Sequence, residues 1–149
     1  IYAFVAAWDT GLWIIDISNP ASPALVDTYA TLGNAYETYV SGNYAFVSEM
    51  TGGLQIIDIS NPALPVLTGS WVTPGYDVAS QAQGVYVSGI YAYVADGSHG
   101  LQIIDVSDPA SPVLAGTYAS TDAFGVFVNG NYAYVSAGPG GLKIIGGIK

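Results

Sequence analysis

The residues best equipped for chemistry gather in one part of the chain. His99 is the only histidine among 149 residues, and it lies in the loop 95–100, ADGSHG, with Asp96 and Ser98. Shortly before it, the segment 71–83, WVTPGYDVASQAQ, carries Trp71, Tyr76, Asp77, Gln81 and Gln83. Aromatic rings beside amide and carboxylate groups suit recognition of a sugar or a peptide, because the ring stacks while the polar groups hydrogen-bond. The same residues also read as a tolerated surface loop with a solvated histidine. A hydrolytic site would need a third polar group converging on His99.

Other chemistries have less material. One histidine and no cysteine leave neither a multi-histidine nor a thiolate metal site, and no G-x-S-x-G elbow is present. Calcium accepts oxygen ligands from loops, and Glu49, Asp96 and main-chain carbonyls would be the donors here, without any calcium-loop motif. No other cofactor is expected.

The elements that position these residues are repeats. The passage 91–118, YAYVADGSHGLQIIDVSDPASPVLAGTY, has counterparts beginning at Tyr2, Tyr44 and Tyr132, spaced 42, 47 and 41 residues apart. Gly-Leu pairs at positions 11, 53, 100 and 141 keep that spacing, and the segment 71–83 accounts for the longer one. A period of about 40–45 residues with strand-like content is the signature of β-propeller blades. Each copy reads as four short strands bounded by Gly, Pro, Asn and Ser. The first strand, ETYVS, GVYVS or GVFVN, alternates in period two. The second, YAFV or YAYV, sets large rings on one face and small residues on the other. The third, LWIIDI, LQIIDI, LQIIDV or LKII, is apolar on both faces, as a sheet sandwiched between neighbours requires. The fourth is more polar and suits an outer edge.

The first copy lacks its first strand and the last lacks its fourth. The expected fold is therefore all-β, a propeller of four-stranded antiparallel blades with three and a half blades present. The repeats run 1–36 (incomplete), 37–83, 84–124 and 125–149 (incomplete). Open sheet edges and unmatched apolar faces are features soluble proteins avoid. Completion by a longer chain or by association of chains is therefore expected.

After the third strand comes DISNPASP, DISNPALP or DVSDPASP. Asp16, Asp58 and Asp105 end the strands, while Asn19, Asn61 and Asp108 precede prolines. An Asx side chain closes such a turn locally and Pro supplies the fixed φ. These six are expected to be structural, one pair per blade and too far apart to share an ion. Trp8 and Trp13 stand in the first copy where its siblings carry Glu/Met-type and Gln residues. They read as an interface hot spot or as packing against a further blade.

Composition narrows the partners. Two lysines, no arginine and eleven acids give a net charge of −9. Nucleic-acid binding needs cations to displace counterions and is not expected, nor is a basic patch on an anionic membrane. No run approaches the roughly 18 apolar residues of a transmembrane helix. Only 9 % of residues are charged, against roughly 25 % in ordinary soluble domains. That deficit points to surface covered by protein partners or further blades. Ile1 lies inside a strand motif with no initiator Met or signal peptide, so the chain reads as mature or partial.

The core GLQIIDVSDPASP, preceded by YAYVADG, resembles the LVIVD-repeat family of bacterial and archaeal surface or secreted proteins. The family core stands here as LWIID, LQIID, LQIID and LKIIG, the last with Gly146 in place of Asp and no turn after it. The resemblance implies an extracytoplasmic propeller and brings no catalytic residues. A non-catalytic interaction or scaffold module is the reading that follows. The alternative is a carbohydrate- or peptide-binding propeller, or a Ca²⁺-dependent hydrolase, at the 71–83 insertion and His99.

Overall fold

Alternating large and small side chains at period two build fourteen strands among the described residues of this computed structural model. The structure describes residues 1–50, 53–75, 81–120 and 122–148. The first sheet holds β1 (Tyr2–Ala6), β2 (Leu12–Asp16) and β3 (Ala24–Tyr29). The second holds β4 (Ala35–Ser41), β5 (Tyr44–Glu49), β6 (Gly53–Asp58) and β7 (Val66–Trp71). The third holds β8 (Ala82–Ser88), β9 (Tyr91–Asp96), β10 (Leu101–Asp105) and β11 (Val113–Tyr118). The fourth holds β12 (Gly125–Asn129), β13 (Tyr132–Ser136) and β14 (Leu142–Gly146). Strands follow chain order within every sheet and all pair antiparallel. The counts of 3, 4, 4 and 3 are those expected from the repeats. Among the described residues the one helical element is a 3-10 turn at Gly138–Gly140, and no helix there is long and apolar enough to cross a membrane.

The blades share their irregularities as well. Between third and fourth strands a bulge falls at Ile14/Ile15, Ile56/Ile57 and Ile103/Ile104, the same place in each copy. In the first three blades the glycine of the Gly-Leu pair is required by the close approach of the fourth strand's end. Gly53 has φ +99°, and a Cβ there would lie 2.6 Å from the Trp71 carbonyl oxygen.

Each sheet has two unlike faces. The leading face presents Tyr or Phe with Leu and Ile; the trailing face presents Ala, Val and Ile. Phe46, Leu54 and Ile56 of the second blade meet Ala92, Val94 and Ile104 of the third in one buried cluster. Leu12 and Ile14 meet Ala45, Val47 and Ile57 in the same way, and Tyr93 and Leu101 meet Ala133 and Val135. Large side chains against small ones let the sheets interdigitate to interior packing density. The core is therefore three layers between four sheets. β1 packs beside β4, β4 beside β8 and β8 beside β12, so the innermost strands run along one side of an arc.

Candidate functional site

The corner picked out by sequence is built by the start of β8, the end of β9 and the loop after it. Ala82, between Gln81 and Gln83 in sequence, pairs with Asp96 on the neighbouring strand. Gln83 donates its amide to Gln81 Oε1 at 3.2 Å, and its backbone carbonyl accepts from Ser48 Oγ of the second blade at 3.1 Å. His99 is half-buried; its N–H bonds the Asp96 carbonyl at 2.8 Å and its own carbonyl accepts from Gln102 Nε2 at 2.7 Å. His99 Nδ1 is buried without a hydrogen-bond partner. Trp71 is turned inward, 8 % exposed, within the cluster between the second and third blades. Its ring is not offered for stacking. Tyr76 and Asp77 lie outside the described residues.

Asp96 is committed to the fold. It is 1 % exposed and accepts a 2.7 Å bond from Thr73 Oγ1, itself buried, on the segment leaving β7. Burial pushes its carboxyl above the ordinary value; the Thr73 hydroxyl and the His99 charge pull the other way. Glu49 holds the equivalent place in the second blade, also buried. Its carboxyl is pushed up by burial and countered first by the backbone N–H of Gly33, on the segment leaving the first blade. Both carboxylates therefore tie a loop of one blade to the exit of the blade before. Among the described residues no group of three or more His, Cys, Asp or Glu is placed to hold a metal ion.

The recurrent turns are three copies of one hydrogen-bond pattern. Asp16, Asp58 and Asp105 accept from the backbone N–H of Ser18, Ser60 and Ser107 at 2.8–2.9 Å. Those bonds hold their carboxyls below the ordinary value. Asn19, Asn61 and Asp108 accept from the N–H two residues on at 3.1–3.2 Å. Each pair serves its own turn, and no Asp meets another.

Three features escaped sequence reasoning because they need the arc. Tyr39, Tyr86 and Phe127, at the same position of β4, β8 and β12, pack in series in tilted and edge-to-face pairs with centroids 4.7 and 5.1 Å apart. Period-two alternation shared by the three first strands is the signal that contains this ladder. Glu37 Oε2 accepts the Val85 N–H across the second and third blades at 2.8 Å. Trp8 takes φ +55° and exchanges backbone hydrogen bonds with Ala35 of the next blade, its ring 5.4 Å from that of Tyr36. Thus Trp8 fastens the first blade to the second.

Two clefts, of about 370 and 180 Å³, open between the third and fourth blades around Tyr91, Tyr93 and Ile148. One blade earlier the matching region is filled: the proline turn of the third blade presses on Gly69 of β7, so that a Cβ at Gly69 would lie 2.2 Å from the Pro109 carbonyl oxygen. Gly116 of β11 occupies the matching position and has nothing within 4 Å of its Cβ direction.

Four-stranded antiparallel sheets packed leading face to trailing face define a β-propeller repeat protein. The LVIVD repeat model matches residues 1–31, 32–73, 79–120 and 120–145, so the chain belongs to the LVIVD-repeat family. No curated protein matches it. Among solved structures it is similar to the computationally designed Ika4 protein, with a TM-score of 0.77 and 12 % identity over 99 % of this chain and 86 % of that one. It is also similar to the computationally designed Ika8 protein, with a TM-score of 0.71 and 12 % identity over 97 % of this chain and 42 % of that one. At these identities the likeness is one of fold.

Proposed function

We propose that this chain is a non-catalytic interaction module, a rigid stack of blades that presents its variable loops and takes part in a larger assembly or longer protein outside the cytoplasm. One observation carries the reading: the described polar groups of the best candidate corner are engaged within the fold. Asp96 is buried against Thr73, Gln83 is bonded to Ser48 and Gln81, and Trp71 is enclosed. What the molecule offers outward is apolar sheet face and short loops on a scaffold, where binding functions concentrate. The extracytoplasmic setting follows the resemblance to surface and secreted repeat proteins. Fractionation of source cells is expected to recover the chain outside the cytoplasm.

A second reading, a sugar- or peptide-binding site or a Ca²⁺-dependent hydrolase at the 71–83 segment and His99, draws on the unpartnered Nδ1 of His99. Glycan and peptide arrays probed with wild type and His99→Ala separate the two, together with thermal melting with Ca²⁺ and with a chelator. The interaction-module reading expects no array signal that depends on His99 and no shift of Tm with Ca²⁺. A ligand bound by wild type and lost in a folded His99→Ala chain would install the second reading.

A further inference from the structure

Trp8 is held where the fold asks for glycine. It stands three residues before the Gly-Leu pair of the first blade, and the same place is Gly97 in the third blade and Gly138 in the fourth. All three have positive φ, +55° for Trp8, +47° for Gly97 and +43° for Gly138. Glycine enters that region freely and a bulky residue only at a cost. Met50, in the same place of the second blade, avoids it. Burial does not offset the strain, since Trp8 is 47 % exposed. Nor is tryptophan needed to fasten the blades: Gly97 exchanges with Ala123 the same two backbone hydrogen bonds that Trp8 exchanges with Ala35. Backbone strain of this kind gathers at ligand clamps and other functional sites. A second displayed ring stands beside it. The first strands of the second and third blades bulge at Ala35/Glu37 and Ala82/Gly84, with Tyr36 and Gln83 as the extra residues, and a bulge re-aims the side chain it inserts. Tyr36 is 40 % exposed, its ring 5.4 Å from that of Trp8 and tilted by 58°. Rings that close leave no room between them, so what they offer is their outer faces.

From this we infer that the Trp8–Tyr36 pair is a docking platform for a basic segment of a partner protein, a Lys or Arg side chain lying over the two rings with the Asp9 carboxylate beside it. The proposal rests on the interaction-module reading and gives the partner its chemistry. Trp and then Tyr are the rings that hold a cation best over their faces. Asp9, next to Trp8 in the same turn, is exposed, and among the described residues no hydrogen bond or ion pair engages its carboxylate. The neutral groups a sugar would need are occupied: Thr10 Oγ1 donates to the Ala7 carbonyl and accepts from the Trp13 indole. The whole chain carries −9 with no arginine, and of its two lysines Lys143 lies on β14 of the fourth blade and Lys149 follows it. Such a field draws cationic partners and repels anionic ones. Blades pack sheet face against sheet face, whereas this pair sits at the loop ends of the first two sheets, where blade packing does not reach.

The test is an NMR titration of the ¹⁵N-labelled chain with hexalysine, hexaarginine and the neutral glycan cellohexaose, in about 150 mM NaCl to screen long-range attraction to the net charge. The Trp8 indole N–H and the backbone amides of Trp8, Asp9 and Tyr36 should shift saturably with at least one of the two peptides. Sibling blades supply replacements that the fold already accepts: Trp8→Gly, Asp9→Ser and Tyr36→Gln, after Gly97, Ser98 and Gln83. Each variant, checked for native far-UV circular dichroism, should bind the peptide about fivefold more weakly. No response to either peptide, shifts scattered over acids elsewhere, undiminished affinity in a folded Trp8→Gly chain, or a response at these signals to cellohexaose alone overturns the proposal. The His99-dependent arrays test the reading it rests on, so the two fail separately.

Discussion

Among the described residues Asp96 and Glu49 are the two buried carboxylates, and both are raised above their ordinary values by burial. A raised folded value means that the folded state binds the proton more tightly than the unfolded chain. The associated stability is present below the ordinary value and is lost as pH rises through the folded one. Asp16, Asp58 and Asp105 run the other way: their folded values are lowered, so their contribution is present above the ordinary 3.8 and lost on acidification. Glu49→Gln is therefore expected to gain thermal stability relative to wild type as pH rises from below 4.5, the ordinary value, towards neutrality. A Tm difference that stays constant across that range contradicts the assignment. Backbone conformation supplies a second prediction at this scale. Gly100 has φ +77°, with its Cβ direction 2.3 Å from the Tyr118 carbonyl oxygen, whereas Gly141 at φ +70° has nothing within 4 Å. Gly100→Ala should cost more than the roughly 1–3 kcal/mol typical of a strained left-handed residue, and Gly141→Ala only that strain. Urea unfolding of the two variants makes the comparison.

At the scale of elements, the strands were legible because they repeat. The YAFV/YAYV alternation and the LQIID core predict β5, β6, β9 and β10, and the DxSxP signature predicts the turns whose Asx bonds are seen at Asp58 and Asp105. What stayed illegible depends on contacts between blades. Nothing local in GVYVS or GVFVN says that Tyr86 and Phe127 meet edge to face, or that Trp71 points into the core rather than onto the loop surface. Asp96 next to His99 looks like site chemistry in sequence, but its partner is Thr73, 23 residues away across a blade boundary. The proline turn gives an element-scale test. Gly69→Ala inserts a methyl against Pro109 and is expected to destabilise by about 1–3 kcal/mol. Gly116→Ala, the same position one blade on with open space beside it, should be neutral or stabilising by up to about 1 kcal/mol through the unfolded chain. Equal effects at both sites would contradict the described packing.

Over the whole molecule, one kind of interface between blades is used three times. The scarcity of charge, 9 % of residues, follows in part from sheets that are apolar on both faces, since the central strand of each blade is meant to be sandwiched. The aromatic ladder is graded along the arc: Tyr39 and Tyr86 are half-buried, while Phe127 is 53 % exposed. Amide hydrogen exchange tests this account most directly. Strands β5, β6, β9 and β10 should be the best protected, because both of their faces are covered by neighbouring sheets. Protection in β1–β2 and β13–β14, whose sheets each pack against one described neighbour, should be lower. Central strands that exchange as fast as β1–β2 and β13–β14 would contradict it.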